Sequence, residues 1–126
     1  MSGDDRRQVR GRQGEHVAEE FLRAQGYMIL ERNYRVAFGE VDLIVRDRQT
    51  LIFVEVRTHS GAKFGDPLAS VNVRKQRQIA KAALHYLIRS GLMEREARFD
   101  VVGIRWENEQ ARITHVKNAF ELPRSW

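Results

Sequence analysis

Two apolar runs, Val41-Asp42-Leu43-Ile44-Val45 and Leu51-Ile52-Phe53-Val54-Glu55-Val56, are separated only by Arg46-Asp47-Arg48-Gln49-Thr50. Short runs rich in β-branched residues read as strands, and so short a polar break returns the chain as a hairpin. A turn centred on Arg48-Gln49 sets the register. Val41 then faces Val56, Leu43 faces Val54 and Val45 faces Ile52, a wholly apolar face that belongs to the core. On the other face Ile44 meets Phe53, Asp42 meets Glu55 and Glu40 meets Arg57. A slip of one residue would turn the charges into the core. Opposed residues have Cβ atoms about 4.5–5.5 Å apart. Two carboxylates at that distance repel, and burying either is costly without a partner. A divalent cation bound by their oxygens reverses the sign. The bland reading is that strand charges guard against aggregation, with Glu40 and Arg57 as a plain cross-strand pair. Two acids in register, on strands whose opposite faces are apolar, favour a functional site.

The rest of the chain supplies a frame for that hairpin. With 126 residues, 42% hydrophobic and 31% charged, it reads as one globular domain rather than a disordered chain. It has no cysteine, which excludes disulfides and cysteine-ligated zinc and fits a cytoplasmic address. Residues 1–12 are polar and basic, with neither signal peptide nor membrane anchor, and are expected to be a flexible tail to a single domain over 13–126. The spacing of Val17, Ala18, Phe21 and Leu22 predicts a helix over 13–25, ended by Gly26. A strand is expected over 27–36, then the corner Ala37-Phe38-Gly39 and the hairpin. Residues 58–66 read as a loop. A second helix runs from Asn72 to Ser90, closed by Gly91, with Val73, Ile79, Ala80, Ala83, Leu84, Leu87 and Ile88 apolar. Strands over 98–105 and 111–117 complete the order α-β-β-β-α-β-β. This is an α/β chain with a central mixed sheet and flanking helices.

The charge balance points to a partner. Lys and Arg number 22 against 17 Asp and Glu, for a net charge of +5 and a pI near 10.1. Such a surplus fits a polyanion, nucleic acid first. Arg74, Arg77 and Lys81 fall on one flank of the second helix, with Lys75 beside them. Lys63, with Phe64, lies on the loop from Gly61 to Asp66. These cations are candidate phosphate contacts, which position a backbone without reading sequence. The bland alternative is a solvated helix face. His16, His59, His85 and His115 have no metal-ligand spacing, and there is no glycine-rich phosphate loop and no serine or cysteine nucleophile arrangement. Asp100 either touches the site or pairs locally, and Trp106 reads as a turn or core residue.

An acid on one strand, a short gap, Glu-x-Lys on the next and a glutamate on a preceding helix resembles the PD-(D/E)XK nucleases. Archaeal Holliday-junction resolvases share the arrangement. The chain more nearly resembles the YraN-like family of small bacterial proteins. That resemblance runs from Gly11 to Phe120 through Gly14-Glu15, Gly26-Tyr27, Arg32-Asn33, Gly39-Glu40-Val41-Asp42, Phe53-Val54-Glu55-Val56-Arg57, Phe64-Gly65-Asp66-Pro67, Lys75, Arg98-Phe99-Asp100 and Asn118-Ala119-Phe120. It implies a restriction-endonuclease-like core and Mg²⁺- or Mn²⁺-dependent hydrolysis of DNA, ahead of RNA, including branched or junction forms. It implies Asp42 and Glu55 as metal-binding acids and Glu15 as the helix acid, with Glu19 its rival. No membrane association is expected, and junction resolvases act as dimers. The pattern departs at Val41, where the superfamily has proline, and at Arg57, where it has lysine. Arginine can clamp phosphate but keeps its proton and so cannot act as a base. That departure sets up the alternative, a catalytically silent nucleic-acid-binding protein keeping the same fold.

Overall fold

The structure, a computed structural model, describes residues 3–60 and 66–121, with side chains over 10–59 and 66–121. Its elements are α1 (Gly3–Ala24), β1 (Met28–Val36), β2 (Gly39–Asp47), β3 (Thr50–Ser60), a 3-10 turn (Pro67–Ser70), α2 (Val73–Ser90), β4 (Ala97–Glu107) and β5 (Gln110–Phe120). The order is the expected α-β-β-β-α-β-β. The strands form one open sheet, β1-β2-β3-β4-β5, in which only β3 and β4 run parallel. A parallel pair needs a crossover, and α2 is that crossover. Asn72 caps α2 by accepting the Lys75 N–H at 2.9 Å, and Gly91 ends it at φ 67°. Among the described residues no helix is long and apolar enough to cross a membrane.

The helices lie on opposite faces of the sheet. Ala18 and Leu22 of α1 pack with Leu43, Val45, Ile52 and Val54. Ile79, Ala80, Ala83 and Leu87 of α2 pack with Ile44, Phe53 and Val101. Buried on both sides, β3 therefore reads as an unbroken apolar run, which makes its one carboxylate conspicuous. Val73 and Ile88 leave the expected core and are mostly exposed, while Ala82 and Tyr86 turn inward.

Two boundaries differ from expectation. Helix α1 begins at Gly3, ahead of the predicted start at residue 13. The stretch holds no proline and is rich in good helix formers, and the Arg10 guanidinium stands 4.5 Å above the Trp106 ring. Strand β3 continues through 58–60, which had read as loop, because β4 offers parallel partners at Ile104, Arg105 and Trp106.

The hairpin register is the expected one where the ladder exists: Leu43 pairs with Val54, Ile44 with Phe53 and Val45 with Ile52. Beyond Leu43 it departs. Val41 packs in the same cluster as Ile44, while Leu43, two residues on, packs with Val45. The alternation of faces therefore breaks at Asp42, and the predicted Val41–Val56 pair on one face does not form. The neighbouring strand is distorted at the same level. Asn33, bracketed by the Arg32–Leu43 and Tyr34–Val41 pairs, has φ 50°. Asp42 Oδ2 accepts the Val56 N–H at 2.7 Å, so a side chain takes a bond that strand pairing would otherwise supply. Gly39 begins β2 pressed against α2. A Cβ there would collide with the Gln78 carbonyl oxygen.

Candidate metal and nucleic-acid site

The break in β2 brings Asp42 to Glu55. Glu55 sits on the central strand, only 2% exposed, with the Asp42 carboxyl beside its own. Burial, the hydrogen bond to Asp42 and the charge of Asp42 push Glu55 up to about 9. Burial and mutual repulsion therefore disfavour carrying two negative charges on the pair. Lys75 Nζ at 3.5 Å and Arg57 Nη1 at 3.8 Å from Glu55 Oε2 pull the other way. Both are ion-pair contacts only, and that buried oxygen has no hydrogen-bond partner. A buried carboxylate oxygen without a donor is expensive. It is accounted for if a cation belongs beside it.

Glu15 completes the acidic surroundings from α1. Burial raises its pKa, and the charges of Asp42 and Glu40 raise it further, against a hydrogen bond with Asn33 and the charge of Arg35. The rival Glu19 is engaged elsewhere. Arg32 Nε donates to it at 2.9 Å and Arg23 Nη2 lies 2.9 Å away, and the Arg32 hydrogen bond leads in holding its carboxyl below the usual range. The expected Glu40–Arg57 pair does not form, because the ladder ends before reaching it. Glu40 pairs with Arg35 at 3.4 Å, and Arg57 Nε donates to Ser70 Oγ at 3.1 Å. Among the described residues, no group of three histidine, cysteine, aspartate or glutamate side chains is gathered tightly enough to cage a metal. The donor set fits a hard cation of another habit. Mg²⁺ keeps several waters and is commonly held by one or two carboxylates plus substrate phosphate. Asp42 and Glu55, with an unpartnered oxygen and Glu15 nearby, match that requirement.

A groove of ≈770 Å³ opens between the β1–β2 corner and α2, and Asp42, Glu55 and Glu15 do not line it. Arg74, Lys75, Arg77 and Lys81 all line it, as the helix flank predicted. Lys75 belongs to both places, since it also stands against Glu55. Arg35 and Phe38 line the groove as well and were not anticipated. The only hint was an aromatic residue at a hairpin corner, where polar residues are usual. Ser70, which holds Arg57, carries no sequence signal, and Asn33 had one only as part of the Arg32-Asn33 motif. Lys63 lies outside the described residues. Asp100 is not part of the site. Fully buried, it accepts from Arg98 Nε at 3.0 Å and the Asn118 N–H at 2.9 Å, and lies 2.8 Å from His115 Nε2. Burial alone would raise its pKa, but these bonds outweigh it and hold the carboxyl below its ordinary value.

A sequence profile of the uncharacterised protein family UPF0102 matches residues 14–104. The chain belongs to that family. The membership agrees with the YraN-like motifs. A UPF0102 protein of Geobacter sulfurreducens is 46% identical over 121 residues, covering 95% of this chain and 94% of its own. Another from Geotalea uraniireducens is 49% identical over 113 residues, covering 89% of each. One from Persephonella marina is 42% identical over 114 residues, covering 90% and 95%. Among solved structures, Pyrococcus furiosus SfsA in complex with Ca²⁺ matches 87% of this chain with 18% identity and a TM-score of 0.39. This chain spans 63% of that one. So slight a likeness carries no argument about chemistry.

Proposed function

We propose that this UPF0102 protein is a metal-dependent nuclease that hydrolyses phosphodiester bonds of DNA, branched or junction forms included. The observation that carries the reading is the buried Glu55 carboxyl beside half-buried Asp42, one Glu55 oxygen lacking a hydrogen bond, joined through Lys75 to a cationic groove. Asp42 and Glu55 would hold Mg²⁺ or Mn²⁺, with Glu15 adding negative charge from α1. When bound, the metal supplies a water of lowered pKa and offsets charge at the phosphate. Glu55 gives up its proton to bind it. Arg57, tethered by Ser70, presents a guanidinium beside the reacting phosphate. Lys75 brings an ammonium from α2 to within 3.5 Å of Glu55, so the charge that Glu-x-Lys carries on the strand is available here from a helix. Arg74, Arg77 and Lys81 hold the DNA backbone along the groove.

Arg57 supports a second reading, a catalytically silent nucleic-acid-binding protein with the same fold. Its Nε is committed to Ser70, and arginine does not serve as a base. One experiment separates the two. Purified protein is incubated with branched, flapped, single-stranded and duplex DNA in Mn²⁺, alongside Asp42→Ala. Cleavage that disappears with Asp42→Ala is the expected result. Equal cleavage by both proteins assigns the activity to a contaminant. No cleavage, together with no Mn²⁺ binding in a calorimetric titration with DNA present, leaves the silent reading.

A further inference from the structure

The groove holds one feature that a simple duplex-backbone cradle does not need. Phe38, at the corner between β1 and β2, is 77% exposed. An unpartnered phenyl ring on a surface is unfavourable by the cost of its hydration. Its neighbours are cations. Lys81 Nζ stands 5.9 Å from the ring centroid, and Arg77 and Arg35 share the groove wall. The corner is also held firmly. Gly39, the next residue, lies against the backbone of α2 so closely that no side chain fits. The ring therefore stands at a corner whose next residue packs on α2.

We infer that this groove binds single-stranded DNA, with an unpaired base stacked on Phe38 and the flanking phosphates on Lys81, Arg77 and Arg35. The inference deepens the nuclease reading and rests on it for the role of the groove. Bases inside a duplex already stack on their neighbours, so a protein ring can engage only a base that is unpaired, splayed or terminal. Cations spaced along the strand supply affinity without sequence preference, and the ring adds strandedness, since every base has a π-face. Lys75 links the groove to the acids, because it lines the one and stands against Glu55 in the other. A strand lying in the groove thus has its backbone led toward the carboxyl pair. The substrate class that follows is DNA with an unpaired segment: a flap, a frayed end or the open arm of a branch.

The test is binding, read without hydrolysis. Full-length protein in EDTA is titrated against a labelled oligothymidylate and against a duplex of the same length, by fluorescence anisotropy. Wild type is expected to bind the single strand more tightly. Phe38→Ala should weaken single-strand binding by roughly 5- to 150-fold, the range for one lost base–aromatic stack. It should leave duplex binding unchanged. Phe38→Trp should retain the affinity, with its fluorescence quenched as a base stacks. The ring is exposed, so each variant should fold, and a thermal melt checks that it does. Equal affinity for the two DNA forms overturns the inference, as does a Phe38→Ala protein that binds the single strand like wild type. Because the titration runs in EDTA, a lack of Mn²⁺-dependent cleavage would count against the nuclease reading alone.

Discussion

Glu55→Gln is the substitution on which the electrostatic account of the site depends. The amide matches the carboxyl in shape, can donate to Asp42 as the protonated acid does, and never ionises. In the folded protein Glu55 is pushed up to about 9, chiefly by burial and then by Asp42. In the unfolded chain it titrates near about 4.5. A folded-state pKa raised above the unfolded one makes stability complete below the unfolded value and diminishing as pH rises toward the folded value. Each pH unit in that window is worth at most about 1.4 kcal/mol. Between about pH 5 and pH 8 wild type should therefore lose up to about 4 kcal/mol that Glu55→Gln keeps. Lys75 and Arg57 reduce the loss in so far as they stabilise the ionised form. For a domain of this size that is a relative shift in Tm of roughly 6–15 °C. The assay is urea or thermal unfolding of both proteins in EDTA across the pH range. The variant should match wild type near pH 5 and exceed it increasingly above pH 7. Adding Mn²⁺ at about a hundred times its Kd should return about 2.7 kcal/mol to wild type and little to the variant. Parallel pH curves for the two proteins in EDTA would refute the reasoning, because Glu55 would then not be the proton holder.

Three further outcomes are expected. Asp100→Asn should cost about 3 kcal/mol in urea unfolding at neutral pH, because it takes the charge partner from half-buried Arg98 and breaks the bonds converging on the buried carboxylate. Asp100 is held below its ordinary value, so the stability it contributes is present at neutral pH and is lost as pH falls below about 4. The gap between wild type and variant should close in acid. Gly14→Ala should destabilise by about 1–3 kcal/mol, since a Cβ there collides with Thr58 Cγ2, and Thr58→Ser should recover much of the loss in a double-mutant cycle. Lys75→Gln should lower Mn²⁺-dependent cleavage by about 10²-fold with a small change in DNA affinity. Arg77→Glu should weaken DNA binding and flatten its salt dependence. The same losses for both variants would mean that Lys75 is only a phosphate contact.

What could be read from the sequence, and what could not, divides at Asp42. From Leu43 to Asp47 the hairpin obeys a period of two, and simple arithmetic on the turn gives the observed partners. Alternation is a local rule, so it also predicted that Val41 would share a face with Leu43 and that Glu40 would reach Arg57. Both expectations fail because Asn33 in β1 and α2, packed against Gly39, act on β2 from elsewhere in the chain. The acids nevertheless meet, by a route that ideal pairing would not have produced. Asp42 spends Oδ2 on the Val56 N–H and so is fixed beside Glu55 by the very bond that ends the ladder. This has a consequence for Arg57. In an uninterrupted ladder Glu40 would neutralise it. Here Glu40 is taken by Arg35 and Ser70 turns the guanidinium toward Glu55. The irregularity that defeated the pattern thus leaves the carboxyl pair together and frees a cation to serve it. The ammonium of Lys75, which no strand pattern could have placed, arrives because Asn72 begins α2 at that level of the sheet. Acid pair and cations therefore depend on two separate supports, one in β2 and one at the start of α2. Relaxing the first with Asn33→Gly should disturb Glu15 and Asp42 while leaving the cation groove able to bind DNA, whereas Asn72→Ala should loosen Lys75 and leave the acids in place.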